Sequence, residues 1–211
     1  VQYAVMAERG YFDVSELQTL RKFGSRLQGH PERKALPGLE NTSGPRGSGL
    51  SQASGVAYTL QYIDQQPHRF VYTIMGDGGL NAGIIWEAAM FAGKYNLGQL
   101  IGCIDRVNVQ IDGTTEDVMP LEDLAGKWRS FGWHVQEIDG HNVESIQDAV
   151  GMAQAISNRP SVIIAHTIPG KGVDFMEYDY RWHGAPPNSE QARTALRKLR
   201  TLGGKITGEH E

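Results

Sequence analysis

The chain alternates between short apolar runs and longer segments with helical patterning. Runs rich in β-branched and aromatic residues predict strands, and they lie at residues 70–75, 99–105, 132–139 and 161–166. Amphipathic or Ala-rich stretches predict helices, at residues 1–9, 15–23, 51–64, 81–95, 124–131, 144–157 and 189–201. This alternation favours right-handed crossovers and a parallel sheet covered on both faces. The sequence therefore predicts an α/β fold with a doubly wound parallel sheet.

The two ends of the chain are less regular. Residues 1–9 resemble the end of a helix that Gly10 stops, and no capping residue precedes it. We therefore expect that sequence preceding this helix is missing, so that the N-terminal part of the fold is incomplete. A polar tail is predicted after the last helix.

Composition excludes several classes of protein. A length of 211 residues with 40% hydrophobic and 21% charged residues is ordinary for one globular domain. The net charge of −4 argues against nucleic-acid binding, and the lack of an apolar run of about 18 residues argues against a membrane span. The single cysteine, Cys103, lies in a predicted strand and forms no disulfide within the chain. We therefore expect a cytoplasmic protein.

The turn after the first strand carries candidate chemistry. It reads Gly76, Asp77, Gly78, Gly79 and leads into a predicted helix. Glycines let a backbone approach a ligand closely, and a helix N-terminus offers free N–H groups to an anion. A carboxylate that faces phosphate oxygens requires a cation between them, and Mg²⁺ suits such oxygen ligands. The turn thus predicts a metal-bridged diphosphate site at the carboxyl end of the sheet.

Three motifs together resemble the transketolase family. The turn at Asp77, followed about thirty residues later by an Asn-bearing segment, resembles the thiamine diphosphate motif. Residues 85–89 (Ile-Trp-Glu-Ala-Ala) and 110–113 (Gln-Ile-Asp-Gly) narrow the resemblance to the N-terminal, diphosphate-binding half of transketolases. The resemblance spans residue 3 to about residue 195. It implies the thiamine diphosphate-binding fold, with thiamine diphosphate and Mg²⁺ (or Ca²⁺) as cofactors.

The resemblance also implies a division of the chain. All of residues 1–211 would form a single diphosphate-binding domain. Its parts would be N-terminal helices with a cofactor loop, an α/β core, a loop that closes over the cofactor, and a C-terminal helix with the tail. These parts lie at residues 1–50, 51–166, 167–187 and 188–211.

Several loop residues gain a role from the resemblance. His30, in Gly-His-Pro, would reach substrate hydroxyls near the reacting carbon. Gly44 and Pro45 would pack on the cofactor, but Arg46 stands where the family has Leu, and Ser48 stands where it has Gln. A cationic side chain thus replaces an apolar one against the aminopyrimidine.

The predicted closing loop carries two further candidates. His183, in Trp-His-Gly, would contact the diphosphate and the substrate, and we count it with His30 as a catalytic candidate. Lys171 would either neutralise phosphate or be solvated. Gly76, Gly78, Asp77 and the carbonyl of Val109 complete the predicted cofactor-binding set. His141, in the turn before the helix that Asn142 caps, is expected to be structural.

The metal-binding pattern of the family is incomplete. The family holds its ion with the Asp of the turn, an Asn thirty positions later and a backbone carbonyl two further on. Position 107 is Val, and the adjacent Asn108 is expected to point to the other face of an extended segment. Asp77, Asn108 and the Val109 carbonyl remain as candidate ligands, and a water can complete such a site. Metal binding is therefore expected to be weakened.

Ala82 marks a second departure from the family. The family has a Glu here that links the two active sites of the dimer, and Ala82 has no carboxylate. The Glu that activates the aminopyrimidine comes from the following domain in the family, which this chain lacks. The chain alone should therefore be inactive.

Two functional hypotheses follow. In the first, the chain is the N-terminal subunit of a split transketolase that transfers a two-carbon ketol unit between sugar phosphates. It would work in a heterotetramer with a C-terminal subunit, or as a self-dimer. In the second, Arg46, Ala82 and Val107 mark a diverged, non-catalytic subunit. Another thiamine diphosphate enzyme, such as a pyruvate dehydrogenase-type α chain, is disfavoured by residues 110–113 and 182–184.

Overall fold

The computed structural model describes residues 1–201. The chain divides into two compact units, Val1–Ser48 and a second unit that begins at Gly49, and each is described by itself. The predicted polar tail lies outside the described residues. Within residues 1–201, no helix is long and apolar enough to cross a membrane.

The first unit contains one α-helix and one 3-10 helix. Helix α1 spans Gln2–Glu8 and the 3-10 helix spans Val14–Thr19. The prediction of a helix over residues 15–23 with Ser15 as its N-cap is wrong, because Asp13 is the cap and accepts a hydrogen bond from the Ser15 N–H at 2.8 Å. The buried apolar residues of this unit form one cluster: Tyr3, Met6, Ala7, Phe12, Leu27, Leu36 and Leu39.

The second unit is built on a four-stranded parallel sheet. The strands are β1 (Val71–Gly76), β2 (Leu100–Arg106), β3 (His134–Asp139) and β4 (Ser161–His166). Their order in the sheet is β1-β2-β4-β3, and every pairing is parallel. All four predicted strands are therefore present, and the predicted α/β architecture is confirmed.

Further helices precede, connect and follow these strands. They are α2 (Ser48–Tyr58), α3 (Asp77–Leu80), α4 (Gly83–Lys94), α5 (Thr115–Val118), α6 (Leu124–Ser130), α7 (Val143–Ala155) and α8 (Ser189–Thr201). A five-residue π-helix, Thr59–Ile63, continues α2, so the predicted helix over 51–64 changes its hydrogen-bond pattern in its last turns. A short 3-10 helix, Tyr180–Trp182, lies in the predicted closing loop.

The core lies mainly on one face of the sheet. There α2, α4 and α6 pack against Met75, Ile104, Val162 and Ile164. Helix α7 covers part of the other face through Ala149 and Ala153, which pack with Ile101 and Ile163. On that second face the edge strand β1 exposes Tyr72 and Ile74. Helices thus lie on both faces, with β1 covered on one face.

Gly93 permits a close contact within this core. A Cβ added at Gly93, in α4, would lie 2.0 Å from the carbonyl oxygen of Phe131, whereas one added at Gly151, in α7, would meet no heavy atom within 4 Å. Gly93→Ala is therefore expected to lower the free energy of unfolding by about 1–3 kcal/mol through overpacking. Gly151→Ala is expected to raise it by up to about 1 kcal/mol, because Ala favours a helix interior over Gly.

Urea unfolding followed by circular dichroism measures both changes. The two variants form a matched pair, since each adds one methyl group to a helical glycine. Equal unfolding midpoints for the two variants would contradict the close contact at Gly93.

Candidate active site

The sheet places Asp77 at its carboxyl edge. Strand β1 ends at Gly76, and Asp77 opens the short helix α3 with only 2% of its surface exposed. Because Gly76 pairs with Asp105 of β2, the segment that follows β2 runs beside Asp77. The glycine turn therefore lies at the carboxyl edge of the sheet, where the sequence places it.

One oxygen of Asp77 is saturated and the other is free. Its Oδ2 accepts hydrogen bonds from Arg106 Nη1 at 2.6 Å, the Asn108 backbone N–H at 2.8 Å and the Thr115 hydroxyl at 2.7 Å. Its Oδ1 is buried and has no hydrogen-bond partner within the described residues. Buried polar atoms are rarely left unpaired, so Oδ1 is available to a group from outside the chain.

Arg106 joins two carboxylates. Its Nη2 donates to Glu116 Oε1 at 2.6 Å, while Nη1 binds Asp77, and only 15% of its side chain is exposed. Partial burial raises the pKa of Glu116, but hydrogen bonds from Arg106 and the Leu121 N–H outweigh it and hold that pKa below its ordinary value. With both carboxylates ionised, this group of three side chains carries a net charge of −1.

The segment after β2 departs from the predicted extended form. Asn108 adopts a left-handed conformation with φ of 58°, which Asn tolerates better than most residues. Its Oδ1 lies 3.5 Å from Arg106 Nη1. The prediction that the Asn108 side chain points to the other face is therefore wrong, because side chains alternate only along extended backbone.

Val109 keeps its carbonyl out of the local hydrogen-bond ladder. Val109 forms an isolated antiparallel bridge with Thr114. The bonds of this bridge join flanking residues, from the Thr115 N–H to the Asn108 carbonyl and from the Gln110 N–H to the Gly113 carbonyl. The Val109 carbonyl is therefore free to accept a hydrogen bond or to bind a cation, as predicted for it.

These residues do not fit a divalent cation in the predicted manner. Arg106 Nη1 lies 2.6 Å from Asp77 Oδ2 and 3.5 Å from Asn108 Oδ1, within reach of both predicted side-chain ligands. Val107 offers no side-chain ligand. Across residues 1–201, no group of three or more His, Cys, Asp and Glu residues could hold a metal ion. Of the predicted ligands, the free Oδ1 of Asp77 and the Val109 carbonyl are left for an added cation.

Gly78 faces the residues that follow the turn. A Cβ at Gly78 would lie 3.6 Å from the side-chain oxygen of Gln110. Gln110 in turn donates to Asn81 Oδ1 at 3.0 Å. Ala82, next in the chain, is the N-cap of α4 and provides no side-chain cap. The amide side chains of Gln110 and Asn81 thus pair beside the glycine turn, next to the position where the family pattern has a carboxylate.

The first unit brings together three of the predicted residues. A Cβ at Gly44 would lie 3.7 Å from the imidazole of His30, and Gly44 has φ of 145°. The Pro45 carbonyl accepts hydrogen bonds from the N–H and the hydroxyl of Ser48. His30 and Arg46 are both exposed. His30 and the Gly44–Pro45 turn therefore form one small cluster.

Lys171 and His183 lie in different parts of the predicted closing loop. Lys171 lines a cleft at the carboxyl ends of β3 and β4 with Glu137, Asp139, His141 and His166. This cleft lies on the far side of β2 from β1. His141 accepts a hydrogen bond from the Ile168 N–H at 2.7 Å, which is a structural role.

His183 is exposed at the end of the short 3-10 helix. The preceding residue, Trp182, donates from Nε1 to the Phe175 carbonyl at 2.8 Å, and its ring packs edge-on against Phe175. The Phe175–Trp182 pair thereby joins two parts of the loop that carries His183.

Comparison with known proteins identifies the family. The transketolase thiamine diphosphate-binding domain matches residues 1–203, and the chain belongs to this family. A 6-deoxy-6-sulfo-D-fructose transketolase subunit, SqwG, of Clostridium sp. is 43% identical over 95% of this chain and 72% of its own length. A subunit of the apulose-4-phosphate transketolase of Phocaeicola vulgatus is 38% identical over 99% of this chain and 73% of its own length.

Solved transketolases share the fold. The Campylobacter jejuni enzyme matches with a TM-score of 0.82 and 31% identity over 90% of this chain. A Pichia stipitis transketolase in complex with xylulose 5-phosphate matches with a TM-score of 0.84 and 30% identity over 94%. The chain spans 30% and 31% of those two proteins. The predicted family, fold and class of enzyme, a thiamine diphosphate-dependent transketolase subunit of the N-terminal type, are confirmed.

Proposed function

We propose that this chain holds the diphosphate end of thiamine diphosphate in a split transketolase and acts only with a second subunit. The observation that carries the proposal is the glycine turn at the carboxyl edge of the sheet, where the charge of the buried Asp77 is balanced by Arg106. The relatives of which this chain spans 72% and 73% are themselves subunits of transketolases. The partner is a C-terminal subunit that supplies the pyrimidine-binding half, in a heterotetramer or together with a self-dimer of this chain.

Each predicted residue then has a distinct task. When bound, thiamine diphosphate supplies the electron sink for cleavage of the carbon–carbon bond. Gly76 and Gly78 let the backbone approach the diphosphate. His183 donates to its oxygens, whereas Lys171, in the cleft at the ends of β3 and β4, is solvated. The carbonyl of Val109 accepts a hydrogen bond from a water molecule that donates its other proton to the diphosphate.

The cluster in the first unit serves the reacting end of the cofactor. Gly44 and Pro45 pack on the cofactor rings, and His30 donates to substrate hydroxyls beside the reacting carbon. The exposed position of His30 and its closeness to Gly44 support this role. Arg46, next to this turn, adds a positive charge that the family pattern lacks.

The substrates are anionic sugars. Two relatives are transketolase subunits for apulose 4-phosphate and for 6-deoxy-6-sulfo-D-fructose, which carry a phosphate and a sulfonate. We place this chain with them, as a subunit that transfers a two-carbon ketol unit between sugar phosphates or similarly charged sugars. The reaction takes place in the cytoplasm, in keeping with the single thiol, Cys103.

The competing function is a diverged, non-catalytic subunit. Ala82 and Val107 favour it, because both remove polar side chains that the family uses at this site. The cofactor binds without the predicted Mg²⁺ or Ca²⁺, because Arg106 already lies beside Asp77. Cofactor binding separates the two functions.

Calorimetric titration of thiamine diphosphate into the complex of this chain with its C-terminal subunit tests the proposal. Binding in the micromolar range or tighter is expected. His183→Ala should weaken binding at least about tenfold, the effect of about 1.4 kcal/mol from a lost contact to an anion. His68→Ala, at another exposed histidine, should leave binding unchanged. If millimolar cofactor fails to bind an intact complex, the chain is a diverged subunit.

A further inference from the structure

We propose that Arg106 replaces the divalent cation at Asp77, so that this chain carries a built-in counterion at its cofactor site. This inference rests on the proposed function only for the identity of the cofactor. It concerns the charge that balances Asp77, which can be measured without thiamine diphosphate. Three observations support it.

The first observation is position. The Arg106 guanidinium lies between the two side chains predicted to hold the ion, with Nη1 2.6 Å from Asp77 Oδ2 and 3.5 Å from Asn108 Oδ1. The Asp77 side chain is fully buried and that of Arg106 is 15% exposed. Because a charged group inside a protein needs an opposite charge beside it, Arg106 satisfies the requirement that a metal ion would otherwise meet.

The second observation is the number of donors at Asp77. A Mg²⁺ ion demands nearly octahedral oxygen ligands at about 2.0–2.1 Å. Asp77 Oδ2 already accepts from Arg106, the Asn108 N–H and the Thr115 hydroxyl at 2.6–2.8 Å. This oxygen has no lone pair left for an ion. A metal would be left with Oδ1 and the Val109 carbonyl as protein ligands.

The third observation is that the guanidinium is fixed from a second side. Its Nη2 donates to Glu116 Oε1 at 2.6 Å, and Glu116 lies next to Thr115 at the start of α5. The planar fork of Arg is suited to joining two carboxylates and stays charged at every physiological pH. Arg106 therefore links the end of β2, the glycine turn and α5 into one fixed arrangement.

The exchange changes the charge that a diphosphate meets. With Asp77 and Glu116 both counted, a Mg²⁺ ion would bring the net charge of the site to 0, whereas Arg106 brings it to −1. We therefore expect cofactor binding that is weak for a transketolase and insensitive to chelators. Since Val107 stands beside Arg106, restoring a metal site requires both a ligand at 107 and removal of the guanidinium.

Electron paramagnetic resonance of Mn²⁺ titrated into the chain–partner complex tests the inference without cofactor. The natural chain is expected to show no Mn²⁺ binding that depends on Asp77, so Mn²⁺ titrations of the natural chain and of Asp77→Ala should agree. Arg106→Gln/Val107→Asn is expected to gain such binding by at least about tenfold. Val107→Asn alone is the matched variant, and it should gain none because Arg106 still blocks Asp77. Arg26→Gln removes an exposed arginine–glutamate pair in the first unit and serves as the general control.

Two results would overturn the inference. One is Asp77-dependent Mn²⁺ binding by the natural chain, and the other is a gain by Val107→Asn alone that equals the gain of the double variant. Circular dichroism confirms that each variant is folded. Arg106→Met/Val107→Asn, which also removes the positive charge, replaces the glutamine variant if that variant does not fold. In a second arm, EDTA should change thiamine diphosphate affinity less than about threefold in the natural chain. A chain that binds neither cofactor nor Mn²⁺ refutes the proposed function while leaving Arg106 as the counterion.

Discussion

Asp77→Ala should lower the free energy of unfolding by about 3–5 kcal/mol, the cost of breaking a buried ion pair by removing one partner. The variant leaves the Arg106 guanidinium, 15% exposed, with Glu116 as its remaining carboxylate partner. It also leaves the Asn108 N–H and the Thr115 hydroxyl without their acceptor. Urea unfolding followed by circular dichroism measures the loss.

Two further variants show whether the effect comes from the buried pair. Glu122→Ala removes a carboxylate that pairs with Lys127 at the surface, and we expect no measurable loss because exposed pairs contribute little. Arg106→Leu combined with Asp77→Ala should recover part of the stability, since no buried charge is then left without a partner. Glu116, whose side chain is 41% exposed, is hydrated by solvent instead. A double variant as unstable as the sum of the two single variants would show that the pair is not coupled.

Trp128→Ala is expected to cost about 3–5 kcal/mol, the range for removing a fully buried aromatic side chain. Trp128, in α6, is 0% exposed. Its ring lies 5.3 Å from that of Trp86 and 4.8 Å from that of Trp133, measured between centroids. The substitution opens a cavity at the centre of the core under the sheet, which thermal and urea unfolding both detect.

Phenylalanine substitutions provide a matched comparison. Trp128 Nε1 is buried without an acceptor among the described residues, so Trp128→Phe loses volume but no hydrogen bond. Trp133 Nε1 donates to the Ala89 carbonyl at 3.0 Å, so Trp133→Phe loses that bond as well. We expect Trp133→Phe to be less stable than Trp128→Phe by about 1 kcal/mol. The reverse order would contradict the assigned contacts.

The sheet could be predicted from the sequence because burial on both faces leaves long apolar runs. Strand β4 is buried through five successive residues, Ser161–Ala165, and its pattern admits few other interpretations. The 3-10 helix at Val14–Thr19 could not be predicted in the same way. Two capping residues, Asp13 and Ser15, compete there within one turn, and the geometry of the loop decides between them.

The sequence predicted Asp77 as a residue of the candidate site, but it did not predict that Arg106 and Glu116 lie beside it. Asp77 follows a strand within a glycine turn, a local signal that a sequence shows directly. Arg106 and Glu116 are ten residues apart, and their meeting depends on the turn that Asn108 makes in the left-handed conformation. An arginine after a strand is usually solvated. The one signal available was its position at the carboxyl end of β2, beside the predicted diphosphate turn.

The packing of the Trp86 and Trp133 rings against Trp128 has a consequence for spectroscopy. Trp86, Trp128 and Trp133 form one continuous group of rings, close enough for excitation energy to pass between them and for their emission to report jointly on the core. Trp182 belongs to a different pair, with Phe175 in the predicted closing loop. A chain in which Trp182 is the sole tryptophan would therefore report optically on that loop alone, and its fluorescence on adding thiamine diphosphate would show directly whether the loop senses the cofactor.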